Sequence, residues 1–175
     1  MSKAVPVRAG MARVGRVSPR GVLVVAAALL VLAAVVGFTQ GRDYFSARGK
    51  EEAAADAVAA GRQLAVNFTT LDYRHVDDDT RQVLDGSTGT FKDQYAKNLA
   101  ALKKVIVANQ TVSIVKRSEA AYVSGDSDSA RVIVGVVAQN SNTVAPQGTL
   151  KTYRMRLDLQ RSGSTWKVNG LDFVG

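Results

Sequence analysis

The sequence predicts an α+β domain carried on a single transmembrane helix. Residues 21–38 form an unbroken apolar run, which is typical of a membrane-spanning segment. Residues 47–107 carry apolar side chains at helical spacing, whereas the chain after Gln110 alternates at strand spacing. Since helices followed by a run of strands are typical of α+β layers, we expect three helices packed on a curved four-stranded antiparallel sheet.

The apolar run of residues 21–38 is long enough to cross a bilayer. As a helix it would extend about 27 Å, close to the roughly 30 Å hydrocarbon core. We therefore predict a transmembrane helix at residues 21–41. A cleaved secretory signal is the alternative, but its apolar core usually has about 7–15 residues. The aromatic Phe38 at the boundary also leaves no small-residue cleavage motif.

Charge around this segment predicts its orientation. Residues 1–20 contain Lys and Arg but no acidic residue, and such an excess stays in the cytoplasm. We expect a basic cytoplasmic tail at 1–20, a juxtamembrane helical stalk at 42–56 and an exported domain at 57–175. This makes a single-pass protein of the cell membrane, with its C-terminal domain outside the cytoplasm and its anchor in contact with membrane lipid.

The net charge of +8 reflects this topology more than a nucleic-acid partner. Six of the 23 Lys and Arg residues lie in residues 1–42, and all 15 acidic residues follow them, so the exported part has 17 basic against 15 acidic residues, or +2. We expect no nucleic acid. With no cysteine and His75 as the single histidine, we also expect no metal, no cofactor and no catalytic triad.

Three helices are predicted in the first half of the exported part. Residues 47–71 are rich in alanine, the strongest helix former. Residues 77–85 form a short helix, with Asp77 as a cap and Gly86 as a stop. Residues 91–107 form the third, whose spacing produces one apolar stripe of Phe91, Tyr95, Leu99, Leu102 and Ile106.

Four strands joined by hairpins are predicted to follow, at residues 111–123, 130–139, 150–160 and 165–174. The second is the most apolar, so we expect it to be central and covered on both faces, with a bulge or sharp bend at Gly135. The third alternates cleanly, and Ser162 with Gly163 predicts a tight turn after it. A curved sheet around a helix leaves a cone that can hold an apolar ligand.

Short motifs in this order resemble the Mce-associated membrane proteins, which are actinobacterial accessory proteins of Mce lipid-import systems. The motifs are LDYRHVD at residues 71–77, TGTF at 88–91 with Gln94 and Tyr95, and WKVNGLD at 166–172. The resemblance covers residues 20–173. It implies an NTF2-like (cystatin-like) exported domain, Mce transporter subunits or related membrane proteins as partners, and no catalytic residues. It implies a role in assembling or stabilising a transporter of fatty acids or sterols.

Two groups of polar residues are candidate sites. Tyr73, Arg74, His75 and Asp77 stand in an aspartate-rich turn, which we interpret as a structural motif. The alternative is a metal site or a general acid–base pair formed by His75 with Asp72, Asp77, Asp78 and Asp79. Arg74 would bridge to an aspartate or the sheet, with contact to a ligand anion as the alternative. The second group, a possible partner-docking face on the sheet, consists of Lys116, Arg117, Arg154 and Arg156.

Three functions remain open from the sequence. The first is a non-enzymatic accessory subunit of a lipid-import complex. The second is a lipid- or sterol-binding module with its cargo in the cone. The third is an isomerase or hydrolase, because relatives of the implied fold such as ketosteroid isomerases use an aspartate base with tyrosine donors. Tyr95, Tyr122 and Tyr153 are candidate inward positions for that chemistry, but Asp158 falls on a polar strand face.

Overall fold

The structure, a computed structural model, describes residues 49–175. The predicted tail, the predicted transmembrane helix and the first part of the predicted stalk, residues 42–48, lie outside the described residues. Within residues 49–175, no helix has both the length and the apolar character needed to cross a bilayer.

Three helices and five strands make up the described chain. The helices are α1 (residues 49–69), α2 (Val76–Asp85) and α3 (Gly89–Ala108). The strands are β1 (Leu71–Asp72), β2 (Val112–Gly125), β3 (Ser129–Ser141), β4 (Thr149–Ser162) and β5 (Thr165–Phe173). The strands form one antiparallel sheet in the order β1-β2-β3-β4-β5.

The expectation of four strands was wrong, because Leu71 and Asp72 form a fifth. Leu71 was predicted to end the first helix, but α1 stops at Thr69, whose hydroxyl donates to the carbonyl of Ala65 at 2.7 Å. The next residues pair with Val112 and Ser113 at the start of β2. Pairing with β2 gives backbone N–H and C=O groups of these residues hydrogen-bond partners. At the frayed end of a longer helix such groups would lack partners within the helix.

β3 is covered on one face, not on both as predicted. Its even-numbered residues from Ala130 to Ala138 are buried, whereas Ile133 between them is 45% exposed. The helices supply the covering layer, since the core cluster joins side chains of α1 and α2 to the inner faces of β3, β4 and β5. The other face, here called the outer sheet face, is open to solvent.

Of the bulge or sharp bend predicted at Gly135, the bulge is wrong, because this residue pairs in regular register with Glu119 and Arg154. The register shifts lie elsewhere. Two are in β2, between Val115 and Arg117 and between Tyr122 and Ser124. The third lies opposite β5, at Asp158 and Leu159.

Small residues let α1 lie close against the sheet. A Cβ atom at Gly61 would stand 3.5 Å from side-chain atoms of Val132, Leu157 and Leu159, so the helix backbone passes directly over the sheet centre. Leu64 is 2% exposed on the same side. Ala53 lies inside the predicted stalk, residues 42–56, but belongs to the core cluster. The part of α1 that packs against the sheet therefore includes residues of the predicted stalk. The domain boundary at residue 57 stays a prediction.

The apolar stripe predicted on the third helix is confirmed. Its five residues are partly or fully buried, and Ile106 is the fully buried one. Phe91 and Tyr95 of this stripe surround Phe68 of α1, with ring centroids 6.2 and 6.1 Å away. α3 therefore packs over one end of the sheet through an aromatic cluster.

The two edges of the sheet differ. The link between α2 and α3 continues the sheet beyond β5, where Thr88 N–H donates to Val168 O at 2.8 Å and Val168 N–H to Gly86 O at 3.0 Å. On the opposite edge, β1 pairs only with Val112 and Ser113. Within the described chain, β2 from Ile114 onward therefore has a strand neighbour on one side only.

Candidate functional site

The predicted turn motif is held together by an ion pair in which both carboxylate oxygens of Asp72 accept hydrogen bonds from Arg74. Arg74 Nε lies 2.9 Å from Asp72 Oδ1, and Arg74 Nη2 lies 2.6 Å from Asp72 Oδ2. The Arg74 guanidinium, together with its backbone N–H, lowers the pKa of Asp72 to about 2. The guanidinium carbon also stands 5.7 Å from the centre of the Tyr73 ring. These contacts fix the link between β1 and α2.

The remaining acids of this turn each have a different partner. The predicted cap at Asp77 was wrong. His75 is the N-cap of α2, without a side-chain cap bond, because the helix starts one residue earlier at Val76. Asp77 instead accepts a bond from Lys103 Nζ at 2.6 Å, which joins α2 to α3 and lowers the pKa of Asp77. Asp79 accepts from the backbone N–H of Asp72 at 2.7 Å.

These carboxylates therefore do not converge on one point. Across residues 49–175, no group of three or more His, Cys, Asp or Glu side chains is placed to hold a metal ion. The geometry of the turn is that of a joint between β1, α2 and α3.

The predicted docking residues separate into two places. Arg117, Arg154 and Arg156 lie on the outer sheet face, opposite Val137, Gly135 and Ile133. Lys116 lies at the register shift on the edge of the sheet.

Carboxylates neutralise part of the outer sheet face. Arg156 Nη2 stands 2.7 Å from Asp172 Oδ2, and Arg117 Nε stands 3.3 Å from Glu119 Oε1. Arg154 has no ion pair with another described residue. The outer sheet face therefore presents mixed charge around the exposed Ile133 side chain.

A cavity of about 220 Å³, partly open to solvent, lies between α1, α3 and the sheet. Its wall is mostly apolar. The lining residues are Phe68, Thr69, Leu71, Tyr95, Leu102, Thr111, Ser113, Asn140 and Tyr153. This inner cavity occupies the cone that the sequence predicted between helix and sheet.

A chain of neutral polar groups lines one part of the inner cavity. Asn140 Nδ2 donates to the Tyr153 hydroxyl at 2.6 Å. Ser113 Oγ lies 2.8 Å from Asn140 Oδ1 and also contacts the carbonyl oxygen of Thr69. These residues come from α1, β2, β3 and β4, so their association has no local signal in the sequence. They can orient a small ligand through hydrogen bonds.

Ionisable groups in the inner cavity are limited to tyrosines. Burial, with a contribution from the charge of Asp79, raises the pKa of Tyr95 to about 12, so its hydroxyl is neutral at physiological pH. Tyr122, predicted to point inward with Tyr95 and Tyr153, is 40% exposed near the far end of β2 and does not line the cavity. Among residues 49–175, the buried polar side chains are threonines and serines, without a carboxylate.

A second concave surface, here called the basic groove, runs between α1 and the edge of β2. Its volume is about 670 Å³, and its lining residues are Ala59, Arg62, Gln63, Val66, Thr70, Ile114, Val115, Lys116, Arg117 and Ser118. Arg62 Nε donates to Ser118 Oγ across it at 2.9 Å. The lining contains three cationic side chains and no carboxylate. The sequence did not indicate this groove, because it unites residues 56 positions apart.

A family model described as "Uncharacterized protein Rv1363c/MT1408-like" matches residues 20–175. The chain belongs to this family. A relative, the "Uncharacterized protein Rv1363c" of Mycobacterium tuberculosis (strain ATCC 25618 / H37Rv), is 26% identical over an alignment of 161 residues that covers 89% of this chain. The match covers 61% of that relative, so this chain spans about three fifths of its length. The family description does not mention Mce systems, so the match does not show a role in such a system.

Solved structures share the fold at low sequence identity. An IcmL-like type IV secretion system protein from Legionella pneumophila matches with a TM-score of 0.52 and 13% identity, over 69% of this chain and 91% of that one. CagV, a VirB8 homologue from Helicobacter pylori, matches with 0.52 and 11%, over 69% and 97%. The periplasmic domain of DotI matches with 0.51 and 12%, over 67% and 91%. These likenesses, together with the single antiparallel sheet seen here, confirm the predicted α+β class.

Proposed function

We propose that this chain is a non-enzymatic, single-pass membrane accessory subunit that assembles or stabilises an Mce-type lipid import complex. One observation carries the proposal. In the described domain no charged residue is buried, and the buried polar residues are all serines and threonines. Such a domain is suited to contacts with other proteins, whereas proton-transfer chemistry needs a positioned ionisable group. The motifs at residues 71–77 and 166–172 support the choice of an Mce system.

The proposed position is outside the cytoplasm, with residues 21–41 as the anchor. The charge difference across the apolar run supports this orientation. In this arrangement the outer sheet face is available for docking, with Arg117 opposite Val137 and Arg154 opposite Gly135 on the face that also exposes Ile133. Transporter subunits are the proposed partners.

Deletion of the gene tests this proposal. We expect lower levels of the transporter's core proteins and slower uptake of labelled fatty acid or sterol, with both restored by the full chain. Restoration should fail with Arg117→Glu plus Arg154→Glu and succeed with Lys97→Glu plus Lys104→Glu, a matched charge change on exposed positions of α3. Unchanged core-protein levels and unchanged uptake after deletion would contradict the proposal.

The inner cavity favours a second candidate function, the binding of a small apolar ligand. Its volume of about 220 Å³ exceeds an engineered cavity of about 150 Å³ that binds benzene, but is below the roughly 300–1,000 Å³ of drug-sized ligand pockets. A short acyl chain or a single ring fits this space, whereas a whole sterol does not. The Asn140 and Tyr153 pair would orient its polar end.

Calorimetric titration of the full-length chain in detergent micelles tests this second function. We expect octanoate to bind and ergosterol not to bind. Leu102→Trp, which fills the cavity wall, should abolish octanoate binding, whereas Leu150→Trp on an exposed strand position should preserve it. Equal binding by the two variants would place the ligand elsewhere and reject the cavity as its site.

A further inference from the structure

The edge of β2 offers unpaired backbone groups in a regular extended stretch. Between its two register shifts, residues 117–122 pair without interruption with residues 137–132 of β3. Their other side faces no strand of the described sheet, and no backbone hydrogen bond outside the sheet involves them within residues 49–175. Such an edge is a template for pairing with another chain.

The basic groove leads directly to this edge, and its chemistry restricts what can bind. Arg62 is held in place by Ser118, while Lys116 has no ion pair with a described residue. Val66 and Ile114 provide apolar surface in the same groove, and Ile114 is half exposed. An occupant should therefore carry carboxylates as well as apolar side chains, in an extended conformation.

We propose that the basic groove is a strand-addition site for an extended acidic segment of a partner protein. Main-chain hydrogen bonds to residues 117–122 would provide affinity, and carboxylates at alternate positions would pair with Arg62 and Lys116. This inference rests on one part of the proposed function, namely that the chain acts by binding other proteins. It does not require that the partner belong to a lipid importer.

Lys116 and the register shifts of β2 have an alternative role, which is to protect the edge of β2 from pairing with another chain. Lysines and bulges on edge strands often prevent pairing with other chains. In that case an acidic peptide will gain no strand contacts here. The two roles therefore differ in whether backbone amides of the peptide contribute to binding.

Fluorescence anisotropy with the full-length chain in detergent micelles distinguishes them. The probe is a labelled eight-residue peptide of alternating valine and glutamate. Two control peptides have lysine in place of glutamate, or N-methyl groups on alternate amides along one edge, which block strand pairing and keep the charges. We expect binding of the first peptide and binding at least about tenfold weaker for both controls.

Matched variants locate the site. Lys116→Glu alone, and Arg62→Glu with Lys116→Glu, should weaken binding, the double variant by about tenfold, whereas Lys97→Glu with Lys104→Glu should not. The single variant leaves the bond from Arg62 to Ser118 in place, so its effect does not depend on a change of fold. Circular dichroism checks the fold of each variant.

Four results would overturn the inference: no binding at millimolar peptide, equal binding of the N-methylated peptide, equal binding of the lysine peptide, or equal loss in the α3 control. A fifth is a dimer, seen by sedimentation, that Lys116→Glu dissociates, because the occupant would then be a second copy of this chain. Each of these can occur while gene deletion still lowers transporter levels, so failure here is separable from failure of the proposed function.

Discussion

At the scale of single residues, the Asp72 and Arg74 pair makes the turn before α2 sensitive to acid. The pKa of Asp72 is lowered to about 2 in the folded chain, below its ordinary value of 3.8. Its stabilising contribution is therefore complete above about pH 4 and is lost as the pH falls through about 2. The exposure of Arg74 keeps this contribution small.

Carboxyl carbon NMR titration measures this directly. We expect Arg74→Ala to raise the pKa of Asp72 towards its ordinary value, because the guanidinium that favours the charged form is removed. Arg81→Ala, which removes an exposed partner of Asp78 instead, is the matched control and should leave the pKa of Asp72 in place. An unchanged Asp72 titration in Arg74→Ala would mean that this pair does not form in solution.

Gly61 provides a second test at this scale. Glycine within a helix is less favourable than alanine, and a Cβ at Gly61 would meet its neighbours at an ordinary 3.5 Å. Gly61→Ala should therefore raise the free energy of unfolding by about 0.5–1 kcal/mol. Gly163→Ala should lower it by about 1 kcal/mol, because Gly163 has a φ of +63° in the β4–β5 turn.

Urea denaturation of the full-length chain in micelles, followed by the fluorescence of the single, buried Trp166, gives both values. A destabilising Gly61→Ala substitution would show that α1 lies closer to the sheet than the 3.5 Å contacts at Gly61 imply. A neutral Gly163→Ala substitution would show that this turn has another conformation.

At the scale of elements, the sequence predicted those with a strong period and missed those without one. The stripe of α3 and the alternation of β4 are long, so their type and their buried face were predictable. β1 has two residues, too few to show a period. In β3, valine and isoleucine fill consecutive positions, so hydrophobicity does not reveal that Ile133 faces solvent. Only the arrangement of the helices determines that.

Neighbouring residues of β3 test this one-sided burial. Val134 is completely buried, so Val134→Ala should cost about 2–3 kcal/mol of unfolding free energy through lost packing and the cavity it leaves. Ile133→Ala removes more atoms but should cost less than about 1 kcal/mol, because its side chain is on the outer sheet face. Urea denaturation compares the two. Equal costs would mean that a further layer covers the outer sheet face.

The candidate sites were less predictable than the elements. The turn at residues 72–79 is local, and its charged residues stand close together in the sequence. The inner cavity and the basic groove instead depend on contacts between distant residues, such as Ser113 with Asn140 and Arg62 with Ser118. Residue spacing contains no information on such pairs until the sheet register and the path of α1 are known.

At the scale of the whole molecule, cysteine labelling tests the proposed orientation. The chain has no native cysteine, so only the introduced cysteine can react. Ser164→Cys lies in the exposed turn between β4 and β5. A membrane-impermeant maleimide applied to spheroplasts should label it, whereas Ser2→Cys should react only after detergent is added. Labelling of Ser2→Cys in intact spheroplasts, or loss of the N-terminal segment from the mature chain, would contradict the anchored orientation.

The proposed function requires that this chain act by binding other envelope proteins and not by catalysis. Purification of the full-length chain from its native membranes, with quantitative mass spectrometry of the proteins recovered, tests it most directly. Transporter subunits should accompany the chain in a fixed ratio, and they should be depleted when Arg117→Glu and Arg154→Glu are combined with Lys116→Glu. Recovery of the chain without enriched membrane partners would contradict it.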